Sequence, residues 1–197
     1  MRRPTHGGNL AWAAALAGCS PSLILDFSAS INPLGPPKSA IAAIEQALND
    51  LTAYPDPYYT QLRASLSQFH PTLTPDWILP GNGSAELLTW AARELSELEG
   101  TCLLTPAFSD YQRALKAFGT KVREYRLKLK VEGLEDNLQL SNLQPSNLGL
   151  LLNNPHNPSG QLFDRETILP LVSQFALVVV DEAFMDFLPP DRQQSLI

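Results

Sequence analysis

Apolar residues recur along this chain with two different periods, and the alternation between them predicts the fold. Over residues 38–51, Ile41, Ile44, Leu48 and Leu51 return at three- and four-residue steps, the spacing of one helical face. Leu62, Leu66 and Phe69 repeat that spacing, and so do Leu87, Leu88, Ala91, Leu95 and Leu98. Short apolar runs of strand length lie at 23–27, 77–79, 101–105, 121–127, 149–152 and 176–180. Two more helices are predicted, one after Pro106 through Phe118 and one over about 164–175. Strands that alternate with helices give an α/β fold, a largely parallel sheet with helices on both faces.

Seventeen prolines and eleven glycines separate these segments. Ser30-Ile-Asn-Pro-Leu-Gly-Pro-Pro37 and Tyr54-Pro-Asp-Pro57 must be loops, because proline has no amide hydrogen to give to a helix or a ladder. Residues 131–147 are polar and irregular and read as a surface connection. With 197 residues and 44% hydrophobic content, the chain suits about one domain with a small appendage.

Charge and special residues narrow the possible roles. A net charge of -6 argues against a nucleic-acid partner, which needs a basic surface. No apolar run nears the roughly 20 residues that cross a bilayer. Cys19 and Cys102 make neither a disulfide framework nor a metal site, so reduced thiols and no metal are expected. Met1-Arg2-Arg3 and the run Leu10-Ala-Trp-Ala-Ala-Ala-Leu-Ala-Gly-Cys19 have the outline of a lipoprotein signal. Polar, flexible residues 4–9 separate the charge from the apolar run. The run therefore reads as an ordinary alanine-rich helix, and the protein as cytoplasmic.

Candidate chemistry lies just after the strands, where open α/β sheets bind ligands. Gly81-Asn-Gly-Ser-Ala-Glu86 puts small residues where a strand turns into a helix, so amides and the Ser84 hydroxyl can meet an anion. The same residues also suit a plain turn with Ser84 as helix cap. Asn153-Asn-Pro-His-Asn-Pro-Ser-Gly160 would hold Asn157 rigidly as a hydrogen-bonding amide, or form only an Asn-Pro turn. His156 reads as an exposed loop residue rather than a catalyst. Asp181 ends an apolar strand, where a half-buried acid calls for a cation such as a protonated pyridine nitrogen, unless it caps the next element. Phe108, past Pro106, suits either an aromatic ligand face or core packing.

Taken together, Gly81-Asn-Gly-Ser-x-Glu86, Asn154-Pro-x-Asn-Pro-Ser-Gly160 and Asp181-Glu-Ala-Phe184 resemble the fold-type I pyridoxal-phosphate enzymes. The closer likeness is to the branch of histidinol-phosphate aminotransferases and threonine-phosphate decarboxylases. His6-Gly-Gly-Asn9 and Leu25-Asp-Phe-Ser-Ala-Ser-Ile-Asn-Pro-Leu-Gly35 resemble the decarboxylase side of that branch, which serves cobalamin synthesis. Tyr54-Pro-Asp-Pro57 resembles both sides.

This resemblance implies pyridoxal 5'-phosphate as cofactor and a role for each matching residue. Ser84 with the amides of Gly83 and Ala85 would hold the cofactor phosphate, and Phe108 would stack on its ring. Asn157 would bond the ring oxygen and lie near the substrate, and Asp181 would pair with the ring nitrogen. Tyr54 would reach the partner's cofactor phosphate across a homodimer. His6, Gly7 and Ser30 would help bind a small phosphorylated amino-acid substrate. The resemblance also implies a division into an N-terminal segment, 1–50, and an incomplete cofactor-binding large domain, 51–197.

Two positions depart from the patterns. Phe184 stands where the aminotransferases usually carry tyrosine, which favours the decarboxylases; Ser30 stands where the decarboxylases carry asparagine. The Schiff-base lysine of the family follows the Asp-Glu-Ala segment. This chain has Lys38, Lys116, Lys121, Lys128 and Lys130, none of them after Asp181. The expectation is a decarboxylase of L-threonine O-3-phosphate cut short before that lysine. A histidinol-phosphate aminotransferase and a non-catalytic protein that binds the cofactor or a phosphometabolite are the alternatives.

Overall fold

The computed structural model describes residue 4, residues 7–127 and residues 147–197. His6 and the connection over 131–146 lie outside the described residues. Contacts along the chain divide it into two compact units, Met1–Pro57 and Tyr58–Ile197.

In the first unit, the alanine-rich run is helix α1, Leu10–Ala17. The Asn9 side chain accepts from the Trp12 amide at 2.9 Å, so the helix begins with a capped donor. Helix α2, Lys38–Ala47, takes the predicted place and tightens into a 3-10 turn at Leu48–Thr52. The strand predicted at 23–27 does not form. Pro21 opens a 3-10 turn, Pro21–Leu23, and Ile24 is extended beyond it. The apolar run sets an extended backbone locally, but a strand also needs a partner, and none pairs with it among the described residues.

The second unit opens with α3, Thr60–Phe69. The run at 77–79 repeats the outcome of 23–27, with a 3-10 turn at Pro75–Trp77, an extended Ile78 and no partner strand among the described residues. From there the expected rhythm holds: α4 (Gly83–Ser96), β1 (Gly100–Thr105), α5 (Ser109–Ala117), β2 (Val122–Arg126), β3 (Leu148–Asn153), α6 (Arg165–Val172) and β4 (Leu177–Asp181). The strands pair in the order β2-β1-β3-β4, and every pairing is parallel.

Alternate residues of the strands serve two cores, as the two-residue period of a strand requires. Leu103, Leu151 and Val179 pack with Leu88, Ala92 and Leu95 of α4 and Tyr111, Ala114 and Leu115 of α5. Cys102, Leu104, Leu150, Leu152 and Val180 pack on the other face with Ile168 and Leu171 of α6 and with Phe163. Burial from both sides explains why β3 reads as a run of leucines rather than an alternation. The chain crosses from β1 to β2 in one direction and from β3 to β4 in the other. Crossovers of one hand then put α5 and α6 on opposite faces. The order reverses between β1 and β3, and ligands of open α/β sheets bind beyond the strand ends at such a reversal. Among the described residues, no helix is long and apolar enough to cross a membrane.

Candidate functional site

The ends of β1, β3 and β4 open at the same edge of the sheet. Helix α4 is joined to β1 by only three residues, 97–99, so it runs back along the sheet and begins at that edge. The four motifs singled out from the sequence therefore meet the same end of one unit.

Asp181 closes β4 and sits in register with Asn153 of β3. Two residues beyond Val179, it points to the α4/α5 face, where the Tyr111 hydroxyl donates to its Oδ2 at 2.8 Å. The other oxygen, Oδ1, accepts from the Ala183 amide at 2.9 Å. The local turn thus uses one carboxylate oxygen and the core tyrosine uses the other. Asp181 is half-buried. The side-chain ion pairs among the described residues, Arg63 with Asp76 and Arg113 with Asp110, leave its charge uncompensated.

Phe108, half-buried, precedes α5, and its ring meets Tyr111 edge to face with centroids 5.7 Å apart. Phe108 and Tyr111 lie three residues apart, so one turn carries an aromatic face and the hydroxyl that holds Asp181. Tyr111 is 2% exposed. Burial first, and then the neighbouring carboxylate, push its phenol far above the ordinary range, so it stays a neutral donor.

At the start of α4 the cap is Asn82, not Ser84. The Asn82 amide donates to Glu86 Oε2 at 2.6 Å, and the Gly83 amide donates to the Gly81 carbonyl at 2.9 Å. Gly83 has φ +75 with open space where a side chain would lie, a backbone that glycine adopts without strain. The amides of Ser84 and Ala85 and the Ser84 hydroxyl find no acceptor or donor among the described residues. Exposed free amides at the positive end of a 14-residue helix suit an anion. The Gly83 amide, one of the donors expected to contact the phosphate, is already engaged within the turn.

The loop after β3 is held from inside. Asn154, fully buried, donates to the Phe163 carbonyl and accepts from the Phe163 amide, each at 2.9 Å. Between these anchors Asn157 is half-buried, and its amide has no hydrogen-bond partner among the described residues. The exposed position expected of His156 is overturned: it is 2% exposed. Its Nδ1 lies 2.7 Å from Ser159 Oγ, and its ring meets Phe163 edge to face. The flanking prolines hid this, because the ring turns inward to fill the loop's own centre.

Burial lowers the His156 imidazole from its ordinary value, with the Pro106 carbonyl pulling weakly the other way. The unfolded chain therefore binds a proton more readily than the folded one. Stability due to the neutral ring is complete above the unfolded value near 6.5 and is lost as pH falls through it. Wild-type protein is expected to lose more thermal stability than His156→Gln between about pH 7.5 and about pH 5.5. Melting curves that shift in parallel would remove His156 from this role.

In the first unit, Gly7 lies so close to the Ser28 carbonyl that a side chain there would collide with it. The Gly8 amide donates to Ser28 Oγ at 2.8 Å, and Ser28 in turn donates to Asp26. The two N-terminal motifs are thus brought together. Ser30 and Tyr54 are exposed in this unit, Tyr54 completely.

Sequence reasoning missed Tyr111. The available signal was a tyrosine on an otherwise apolar helical stripe (Tyr111, Ala114, Leu115), one turn after a candidate stacking ring.

Residues 23–195 match the family model of aminotransferase class I and II. The chain is 37% identical to the threonine-phosphate decarboxylase of Salmonella typhimurium over 190 residues, covering 93% of this chain and 51% of that protein. It is 32% identical to histidinol-phosphate aminotransferase 2 of Nitrosospira multiformis, covering 88% of this chain and 44% of that protein. The chain spans about half the length of these curated relatives. In fold it is similar to the crystal structure of L-threonine-O-3-phosphate decarboxylase from Porphyromonas gingivalis. The TM-score is 0.68 at 24% identity, over 83% of this chain and 48% of that one. A parallel sheet that gathers these motifs at one edge, and a family match over most of its length, lead to one conclusion: the chain belongs to the aminotransferase class I and II family.

Proposed function

We propose that this chain holds pyridoxal 5'-phosphate at the strand ends of its sheet. The observation that carries this reading is the half-buried Asp181 carboxylate. It is fixed by Tyr111 and Ala183, unpaired by any cation among the described residues, and bonded to the same tyrosine whose ring Phe108 meets. A protonated ring nitrogen supplies the missing charge, Phe108 the ring face, and the amides of Ser84 and Ala85 with the Ser84 hydroxyl the phosphate donors. Asn157, with its free amide, suits the ring oxygen. Anion, aromatic and cation requirements of the cofactor are met by different residues of one unit, so the donor set fits.

When bound, the cofactor supplies an electron sink for cleavage at a substrate's α-carbon. The chain's own residues hold and orient it, and Asp181 keeps a proton on the ring nitrogen. The reaction we propose for the protein is decarboxylation of L-threonine O-3-phosphate to (R)-1-amino-2-propanol phosphate, for cobalamin biosynthesis. Phe184 supports this over amino transfer, since a phenyl ring has no hydroxyl to offer the ring oxygen. So does the identity with the Salmonella decarboxylase. His6, Gly7 and Ser30 are proposed to contact the substrate phosphate, and Tyr54 to serve the partner's cofactor in a cytoplasmic homodimer.

Two measurements test this. Equilibrium dialysis of the chain against pyridoxal 5'-phosphate is expected to show one site. The product of the complete reading frame is expected to release carbon dioxide from L-threonine O-3-phosphate. Amino transfer from histidinol phosphate to 2-oxoglutarate in its place would reassign the protein to the aminotransferases.

A further inference from the structure

We propose that Tyr111 is a positioning residue, which fixes the Asp181 carboxylate to receive a cationic ring nitrogen. The inference rests on the cofactor reading above and assigns a specific task to a residue outside the binding motifs. Asp181 lies at the last position of β4, where its side chain can swing toward water. Its own turn restrains only Oδ1, through the Ala183 amide. The restraint on Oδ2 comes from another element, the Tyr111 hydroxyl on α5. Tyr111 itself cannot move, being 2% exposed and packed among Leu103, Leu115 and Leu151.

The choice of a phenol matters chemically. A lysine or arginine here would neutralise the carboxylate and remove its attraction for a cationic ring. A phenol donates a hydrogen bond without adding charge, and its high proton affinity at this site keeps it a donor. Each carboxylate oxygen retains a further acceptor site, so the two existing bonds leave room for a ring N–H. Because Phe108 touches the Tyr111 ring, the aromatic face and the carboxylate are referenced to the same turn of α5. Tyr111 thereby acts on selectivity for the ring nitrogen rather than on affinity for the phosphate.

The test measures binding of two ligands to the chain, pyridoxal 5'-phosphate and its analogue with C–H in place of the ring nitrogen. Wild type, Tyr111→Phe, Asp181→Asn and the double variant are compared, with circular dichroism to confirm folding. Tyr111→Phe is expected to weaken pyridoxal 5'-phosphate by about tenfold while leaving the carbon analogue nearly unchanged. Asp181→Asn is expected to abolish the preference, and Tyr111→Phe to add nothing in that background. Equal losses for both ligands would mean that Tyr111 only supports packing, and this would overturn the inference. An unchanged preference in Tyr111→Phe would overturn it alone. Failure of the wild-type chain to bind either ligand would overturn the cofactor reading and this inference with it.

Discussion

Asp181→Asn is expected to weaken binding of pyridoxal 5'-phosphate by about a hundredfold, while the sheet keeps its thermal stability. Removing one member of a hydrogen-bonded charge pair costs about 2–5 kcal/mol, and each 1.4 kcal/mol is about tenfold in affinity. The substitution keeps the shape of the side chain. Its remaining oxygen can still accept from the Ala183 amide, and its amide group can donate to the Tyr111 hydroxyl, so both present contacts have replacements. What is lost is the charge alone. Isothermal titration of both proteins at pH 7.5 measures the ratio, and thermal melts measure the fold. A ratio below about threefold would show that the ring nitrogen does not meet Asp181.

Most of the sheet was legible in the sequence because β1 and β3 are buried on both faces and β4 is half-buried on both. Gly100–Thr105, Leu148–Asn153 and Leu177–Asp181 carry runs of leucine, valine and threonine too short for helices, and the helices between them have clear apolar stripes. The runs at 23–27 and 77–79 have similar composition but form no strand. Each begins within a proline-led turn and is extended at its next residue, Ile24 or Ile78. Pairing is decided by the rest of the chain, and residue type alone does not record it.

The candidate site divides in the same way. The places of Asp181 at the end of β4, and of Phe108 and the loop through Asn157 just past β1 and β3, were legible from the alternation of strands and loops; the roles implied for them rest on the resemblance. For Ser84 the sequence left open a helix cap or an anion-facing hydroxyl: the cap is Asn82, and the Ser84 hydroxyl has no partner among the described residues. Tyr111 and His156 were not legible. Both are polar rings turned inward, one onto a carboxylate 70 residues away in sequence and one onto its own loop. A sequence shows that such a ring is present, but its partner is set by tertiary packing.

The adjacent asparagine motifs of the β3–α6 loop separate structure from binding, and two substitutions distinguish them. Asn154→Ala is expected to destabilise the fold by about 3 kcal/mol, because it strips the buried Phe163 amide and carbonyl of their partners and each unsatisfied group costs about 1–3 kcal/mol. The Asn154 side chain makes both of those bonds at 2.9 Å, and it is fully enclosed, so water cannot replace it. Asn157→Ala removes an amide without a hydrogen-bond partner among the described residues and is expected to change stability by less than about 0.5 kcal/mol. The order reverses for pyridoxal 5'-phosphate. Asn157→Ala is expected to lose about tenfold in affinity, as one hydrogen bond to the ring oxygen disappears. Urea denaturation and hydrogen exchange at the Phe163 amide read the first effect, and ligand titration of the folded proteins reads the second. If Asn157→Ala proves the more destabilising of the two, the loop is held at its apex rather than its base, and Asn157 is a structural residue.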